Sequence, residues 1–578
     1  MHTLCVETHV VFLLARLTIR RVKPIVCILV ALLGAASAVQ AQFTFTTNNG
    51  AITITGYSGS GGVVVIPGAT NGFPVTSIAN SAVQLKSSVT SVIIPNSVTN
   101  IGLEAFNGCS SLTNVTIGNS VTNLGNQAFW NCAKLTSVTI PNSVVNIGYG
   151  TFYSCSNLAN VTIGSGVTNI ANSAFFKCSG LTNVSIPNSV TSIGQQAFFD
   201  CTSLTNVTIG SGATNIASTA FNGCTNLSVI TVATLNSSYS GVAGVLFDDG
   251  QTTLVEYPGK AGSYTIPNSV TSIGGQAFYD CAGLTGVTIP SSVNSIGQEA
   301  FFGCTSLTNV SIPSSVTNIG LEVFDNCASL TAITVNPTNP FYSSLNGVLF
   351  DQGQTTLIQY PGGLIGNYTI PGTVTSIGEN AFGDCSNLTG VTIPNSVTSI
   401  GQQAFLFCAG LTSVTIPNSI SNIESETFYG CSGLTSVTIG SGVTNIGDAA
   451  FLVCTKLSAM YFLGNAPSIG SDNISGYNMT VYYLPGTTGW GPTFDYVPTM
   501  LWNPQPQAMS ATSGGQAGQF SFNITGSSNL VVVVEACTNL LNPVWQPVAT
   551  NTLTGGSCCF SDPQWTNYPG RFYRFRSP

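Results

Sequence analysis

Histidine occurs twice in the 578 residues, at His2 and His9, and nowhere after. Charged residues make up only 6% of the chain. The main apolar run, Ile25 to Ala36, is about a dozen residues, short of the roughly 20 a membrane-crossing helix needs. No C-x-x-C pair occurs either. Each scarcity removes a class of function. Without histidine, Ser-His and Cys-His nucleophiles and histidine-ligated metals are excluded downstream of residue 9. With so few basic residues, an electrostatically held nucleic acid is excluded as a partner.

The N-terminus is read as an export signal. Arg16, Arg20, Arg21 and Lys23 precede the apolar run, and small residues follow at Ala36, Ala38 and Ala41. That order predicts a signal peptide over residues 1–41, cleaved after Ala38 or Ala41, and a secreted or cell-surface protein with no transmembrane span once it is removed. The remainder keeps 8 basic and 19 acidic residues, a formal charge of −11. Its polarity comes from Gly, Ser, Thr and Asn, which suits strands and turns with small polar outer faces.

What is present in abundance is a repeat. Cys109, Cys132, Cys155, Cys178, Cys201 and Cys224 recur at one fixed interval, which returns in Cys281, Cys304 and Cys327 and again in Cys385, Cys408, Cys431 and Cys454. A phenylalanine stands three positions before each. The two breaks, from Cys224 to Cys281 and from Cys327 to Cys385, each hold one period plus an insertion. A leading unit carries Lys86 in the cysteine register and reads as a cap.

Within a unit, Val98, Ile101, Ala105, Phe106, Cys109, Leu112, Val115 and Ile117 are the apolar positions. The alternation Val115-Thr116-Ile117 predicts a short half-buried strand. Pro95 or Gly118 then turns a corner, "VTNIG" is a second extended piece, and "LEAFNGC" is expected to be a single helical or 3₁₀ turn. Eight apolar residues cannot enclose a core alone, so identical coils must stack, phenylalanine on phenylalanine, with the cysteine as a small apolar neighbour.

The pattern "LTNVTIPNSVTNIGxxAFxxC" closely resembles the BspA-type leucine-rich repeat family over residues 43 to 465. The resemblance implies a right-handed leucine-rich repeat solenoid, mainly β with short helical or 3₁₀ turns, of about 14 coils in the cysteine period, and a surface protein that binds protein or glycan. Both insertions carry "GVLFDxGQTTLxxYP", similar to a variant of the family in which a β-hairpin interrupts the coil. Asp248-Asp249-Gly250 and Asp351-Gln352-Gly353 are its expected turns. The predicted organisation is an N-terminal cap and first repeat over 42–93, the solenoid over 94–465 with hairpins near 233–262 and 336–366, and a C-terminal cap over 466–502. A linker follows over 503–519, and "FSFNI", "NLVVVVEA" and "RFYRFR" predict a small all-β domain over 520–578.

Sixteen cysteines follow residue 41. Repeated inward positions have parallel side-chain vectors, so these are expected to be free, buried thiols. No metal or cofactor is expected. The nearest carboxylate pairs, Glu424 with Glu426 and Asp248 with Asp249, are read as solvated surface residues rather than hydrolase machinery. The candidate ligand face is polar and in register: Thr113, Thr136, Thr182 and Thr205 in one column, Thr116, Thr139 and Thr208 in a second, with Asn114, Asn160, Asn183 and Asn206 beside them. Such a face can bind a protein or glycan by hydrogen bonds over an extended area. The alternatives are a structural envelope component, in which threonine is simply a good strand residue, and a threonine lattice of the ice-contacting kind.

Overall fold

The computed structural model describes residues 42–471, 473, 479–508, 520–526 and 530–576. The expected signal peptide lies outside the described residues, as do residues 509–519 of the expected linker. The chain forms two compact units, residues 1–224 with 232–238, and residues 225–231 with 239–578.

The first unit starts with an antiparallel hairpin, Phe43–Asn48 against Ala51–Tyr57. Its second strand runs parallel to Phe73–Ile78, and from there the coils stack. Each coil gives one three- or four-residue strand to one parallel sheet, as in Asn114–Thr116, Ser137–Thr139, Asn160–Thr162, Asn183–Ile186 and Asn206–Ile209. It gives a two-residue strand to a second, as in Asn123–Leu124 and Asn146–Ile147. The constant period keeps register, so that Asn183 pairs with Asn206 and Ile186 with Ile209. Alternation along the strand buries Val184 and Ile186 and exposes Asn183 and Ser185.

The core is the aromatic column the spacing predicts. Phe106, Phe129, Phe152, Phe175, Phe198 and Phe221 are all buried. Their rings stack at 5.2 to 5.5 Å, and no two neighbours are tilted by more than 9°. Burying each ring contributes about 1.5–3 kcal/mol, which no coil could collect without a neighbour.

The connecting turn is not a helix. It does make 3₁₀-type bonds, Asn107 N–H to the Glu104 carbonyl and Cys109 N–H to that of Phe106. But Glu104 and Gly108 have φ of 55° and 73°, and a left-handed residue on either side of the phenylalanine stops helical propagation. Alternate N–H groups are thereby aimed at the next coil: Glu104 to Asn126, Phe106 to Ala128 and Gly108 to Trp130, at 2.8 to 3.0 Å. The turn thus bonds coil to coil, as the strands do.

The second unit contains both insertions. Tyr239–Val242, Val245–Asp248 and Thr253–Glu256 form an antiparallel meander whose last strand joins the parallel sheet at Ser272–Ile273. Tyr342–Leu345, Val348–Asp351 and Thr356–Gln359 repeat it, joining at Ser376–Ile377. Asp248 closes its turn by accepting from the Thr252 and Thr253 N–H groups, each at 2.7 Å, and Asp351 does the same for Thr355 and Thr356. After each meander a tyrosine takes the place of the missing phenylalanine: Tyr257 stacks on Phe278 at 4.9 Å and Tyr360 on Phe382 at 5.0 Å.

Beyond Cys454 the sheet continues through Ala459–Phe462, Thr480–Tyr483 and Val497–Leu501 without the cysteine frame. Two three-stranded sheets then form the terminal domain. One joins Gln505–Ala508, Phe520–Thr525 and Ser557–Asp562; the other joins Gln546–Thr552, Val531–Cys537 and Phe572–Arg576. Residues 505–508, within the expected linker, are therefore a strand of this domain, held by pairing with Phe520–Thr525. Its core residues Phe522, Ile524, Val532, Val534 and Phe560 pack in one cluster with Tyr461 and Tyr482 of the preceding sheet.

Candidate functional site

The candidate strand face lies in the first unit. Thr113, Thr116, Thr136, Thr139, Thr182 and Thr208 are exposed, as are Asn114, Asn160, Asn183 and Asn206, while Thr205 is half-buried. Pairing brings them into columns: Asn114 opposite Ser137, then Asn160, Asn183 and Asn206, with Ser185 opposite Thr208.

The outer threonine column has a second task that the sequence does not announce. The hydroxyls of Thr113, Thr136, Thr182 and Thr205 donate to the carbonyls of Thr90, Thr113, Ala159 and Thr182, at 2.9 to 3.4 Å. Each hydroxyl closes a carbonyl one coil back, so it holds coils together, and the Thr182 and Thr205 oxygens in turn accept from the Asn183 and Asn206 amides at 3.2 and 3.0 Å. Beside them Asn206 Nδ2 donates to Asn183 Oδ1 at 2.8 Å. No residue of the five central strands of this face is charged.

Among the described residues the cysteines are free and, in the repeat frame, buried. Each frame thiol donates to a carbonyl of the preceding coil, as Cys132 Sγ does to Phe106 and Cys155 Sγ to Phe129, at 3.3 and 3.2 Å. Burial pushes the Cys109 thiol up to about 11 and Cys155 to about 12, so they hold their protons and are poor nucleophiles. Among the described residues no group of three or more His, Cys, Asp or Glu is arranged to hold a metal ion.

Neither carboxylate pair is arranged as a hydrolase pair. Asp248 is spent on its turn. Glu424 is exposed, and Glu426 accepts from Gln403 Nε2 at 2.7 Å. The buried acid is elsewhere. Asp325, 3% exposed, accepts from Gln359 Nε2 at 2.9 Å, and nearby Glu322 accepts from Asn380 Nδ2 at 2.7 Å. Burial pushes Asp325 up to about 8, with Glu322, Asp384 and Glu299 adding like charge and the Gln359 bond opposing. In the corresponding positions of the first insertion the sequence has Asn222 and Glu256, the same acid and amide with their places exchanged.

Sequence reasoning missed a cavity of about 570 Å³ in the second unit, where the terminal domain meets the last strands of the sheet. Ser413, Thr415, Thr438, Tyr461, Tyr482, Trp502, Phe575 and Arg576 are among the residues that line it. The available signal was compositional: beyond residue 21 the chain has three arginines, Arg571, Arg574 and Arg576, all close to its C-terminus.

A family model described as "BspA type Leucine rich repeat region (6 copies)" matches residues 76–184, 168–242, 257–362 and 360–480. Among solved structures, the chain is similar to a leucine-rich cell surface protein from Faecalibacterium prausnitzii, at 28% identity over 73% of this chain and 86% of that one, TM-score 0.30. It is also similar to a leucine-rich repeat protein from Bacteroides ovatus, at 25% identity over 73% and 93% of the two chains, TM-score 0.33. The pneumococcal vaccine antigen PcpA matches at 16% identity over 80% of this chain and 97% of that one, TM-score 0.34. No curated protein matches.

Proposed function

The chain belongs to the BspA-type leucine-rich repeat family, and from that premise we propose that it is an exported protein, secreted or held at the cell surface, that binds a protein or glycan through the strand face of its first unit. The observation that carries this reading is the lattice itself. Hydroxyls and amides stand exposed and in register over successive coils with no charge among them, so a ligand is recognised by many hydrogen bonds rather than steered by long-range field. No catalytic role is part of the reading. Among the described residues no helix is long and apolar enough to cross a membrane, and the solved relative named as a cell surface protein supports an extracytoplasmic place.

The second reading, a structural envelope component, is favoured by the threonine-to-carbonyl bonds, which give the columns a use without any ligand. An array of glycans and matrix proteins probed with the full chain separates the two. Retained ligands that are lost when Thr136, Thr182 and Thr205 are changed to lysine support binding. An empty array together with ordered self-assembly supports the structural role.

A further inference from the structure

We infer that the cavity in the second unit is a carbohydrate site, built to hold a sugar ring that carries a carboxylate, such as a uronic acid unit of an oligosaccharide. The inference does not rest on the strand-face reading, which concerns other residues in the other unit.

The floor of the cavity is a sheet seen face on. Ser413–Ile416, Ser436–Ile439, Ala459–Phe462, Thr480–Tyr483 and Val497–Leu501 pair side by side, and Phe575 and Arg576 come from Phe572–Arg576, the outer strand of its own sheet. The side chains are of three kinds. Ser413 and Thr415 are exposed hydroxyls on the strand face, and Thr438 beside them is buried. Tyr461 and Tyr482 stack at 4.9 Å and are joined by the indole of Trp502, whose Nε1 is tied to the Val531 carbonyl at 3.3 Å and so holds the ring in place. Arg576 stands at the lip, its side chain 43% exposed. Among the described residues no carboxylate lines the cavity.

This chemistry selects among ligands. A wholly apolar ligand would take the exposed Ser413 and Thr415 hydroxyls out of water without replacing their hydrogen bonds. A small inorganic anion would meet one guanidinium in a space many times its size. A sugar ring offers apolar C–H faces to the half-buried rings of Trp502 and Phe575 and hydroxyls to Ser413 and Thr415, and 570 Å³ lies in the range of small-ligand sites.

The preference for a carboxylate comes from local charge. Glu535, 5% exposed, accepts from Arg576 Nε at 2.6 Å and from Arg574 Nε at 2.8 Å. One carboxylate thus holds two guanidiniums, leaving one positive charge in excess beside the cavity of an otherwise acidic chain. Arg574 lies over the Trp545 ring, 4.5 Å from its centroid, and is not among the cavity residues. Of the two, Arg576 is the one placed to meet a carboxylate bidentately.

The test is an array of uronate-containing and neutral oligosaccharides probed with the full chain, followed by titration with trigalacturonate. Uronate oligosaccharides are expected to be retained over neutral ones. Thr415→Trp, which fills the cavity from an exposed strand position, abolishes retention. Arg576→Gln weakens trigalacturonate binding about tenfold, the scale of one charge-assisted hydrogen bond. Arg574→Gln removes the other bond to Glu535 and leaves binding at the parent level, which separates ligand contact from support of the domain. Parent-like melting of Thr415→Trp shows that its loss is not unfolding. The inference is overturned if no oligosaccharide is retained, if Thr415→Trp binds like the parent, if the two arginine variants fall together, or if only peptides are retained.

Discussion

Phe106 and Phe129 lie ring on ring, 5.2 Å between centroids and 3° from parallel, although a whole coil of chain separates them in sequence. The same relation recurs up to Phe451, which stacks on Phe428 at 5.3 Å. Within each run of coils, every interior ring supports two neighbours. Phe152→Ala, in the middle of the first unit, is expected to cost about 3–5 kcal/mol, as removal of a fully buried aromatic does. Denaturant unfolding monitored by circular dichroism measures it, and a loss well below that range, under about 1 kcal/mol, would show that the column is not continuous there.

Thiol accessibility follows from burial and from the raised thiol pKa values. Titration of the native chain with a thiol reagent at pH 8 should label Cys559, which is exposed, and more slowly the half-buried Cys558. The thirteen frame cysteines and Cys537 are buried and should react only in denaturant. Immediate labelling of a frame cysteine would contradict the thiol-to-carbonyl geometry.

Stability should depend on pH through Asp325. Folding raises its pKa to about 8, whereas an unfolded aspartate titrates near 4. Between those values the folded chain holds a proton the unfolded chain releases, so stability is highest at the acid end and falls as pH rises towards 8. Glu322 and Asp384 are shifted upward too, chiefly by burial, and act with the same sign. Asp325→Asn, which installs the amide that Asn222 provides in the earlier unit, should flatten part of this slope and raise the melting temperature at pH 8. Melting curves from pH 5 to 8.5 check it, and a parent slope of opposite sign would refute the assignment.

The hairpin turns give a local test. Asp351 Oδ1 accepts two backbone N–H groups, and Oδ2 accepts the Thr355 hydroxyl at 2.7 Å. Asp351→Ala leaves two donors open and should cost about 1–2 kcal/mol, the range of a lost helix cap. Asp351→Asn, which keeps one acceptor oxygen, should recover part of it. Hydrogen exchange at Thr355 and Thr356 reads the effect, faster in Asp351→Ala than in the parent.

Much of this architecture is legible in residue spacing. The strands, the phenylalanine column, the buried thiols and the Asp-Gly turns all involve a residue and its counterpart one coil away, or its near neighbours in a turn. A periodic contact leaves a periodic trace. The connecting turn was only half legible, because the left-handed backbone at Glu104 or Lys177 falls on residue types that do not signal it. The threonine columns were legible as exposed positions, but their bonds to carbonyls depend on side-chain torsions set by the stacked backbone.

Contacts without a period left no such trace. Nothing in the spacing of Gln505–Ala508 marks it as a strand, because its partner Phe520–Thr525 shares no repeat with it. Nor does any motif bring Arg576 to the cavity that Thr415 and Tyr461 line. That meeting depends on the terminal domain folding back over Tyr461 and Tyr482, a packing chosen by shape and buried area. The repeating part of this protein is therefore written in its residue order, while the cavity exists only once distant, dissimilar segments have packed together.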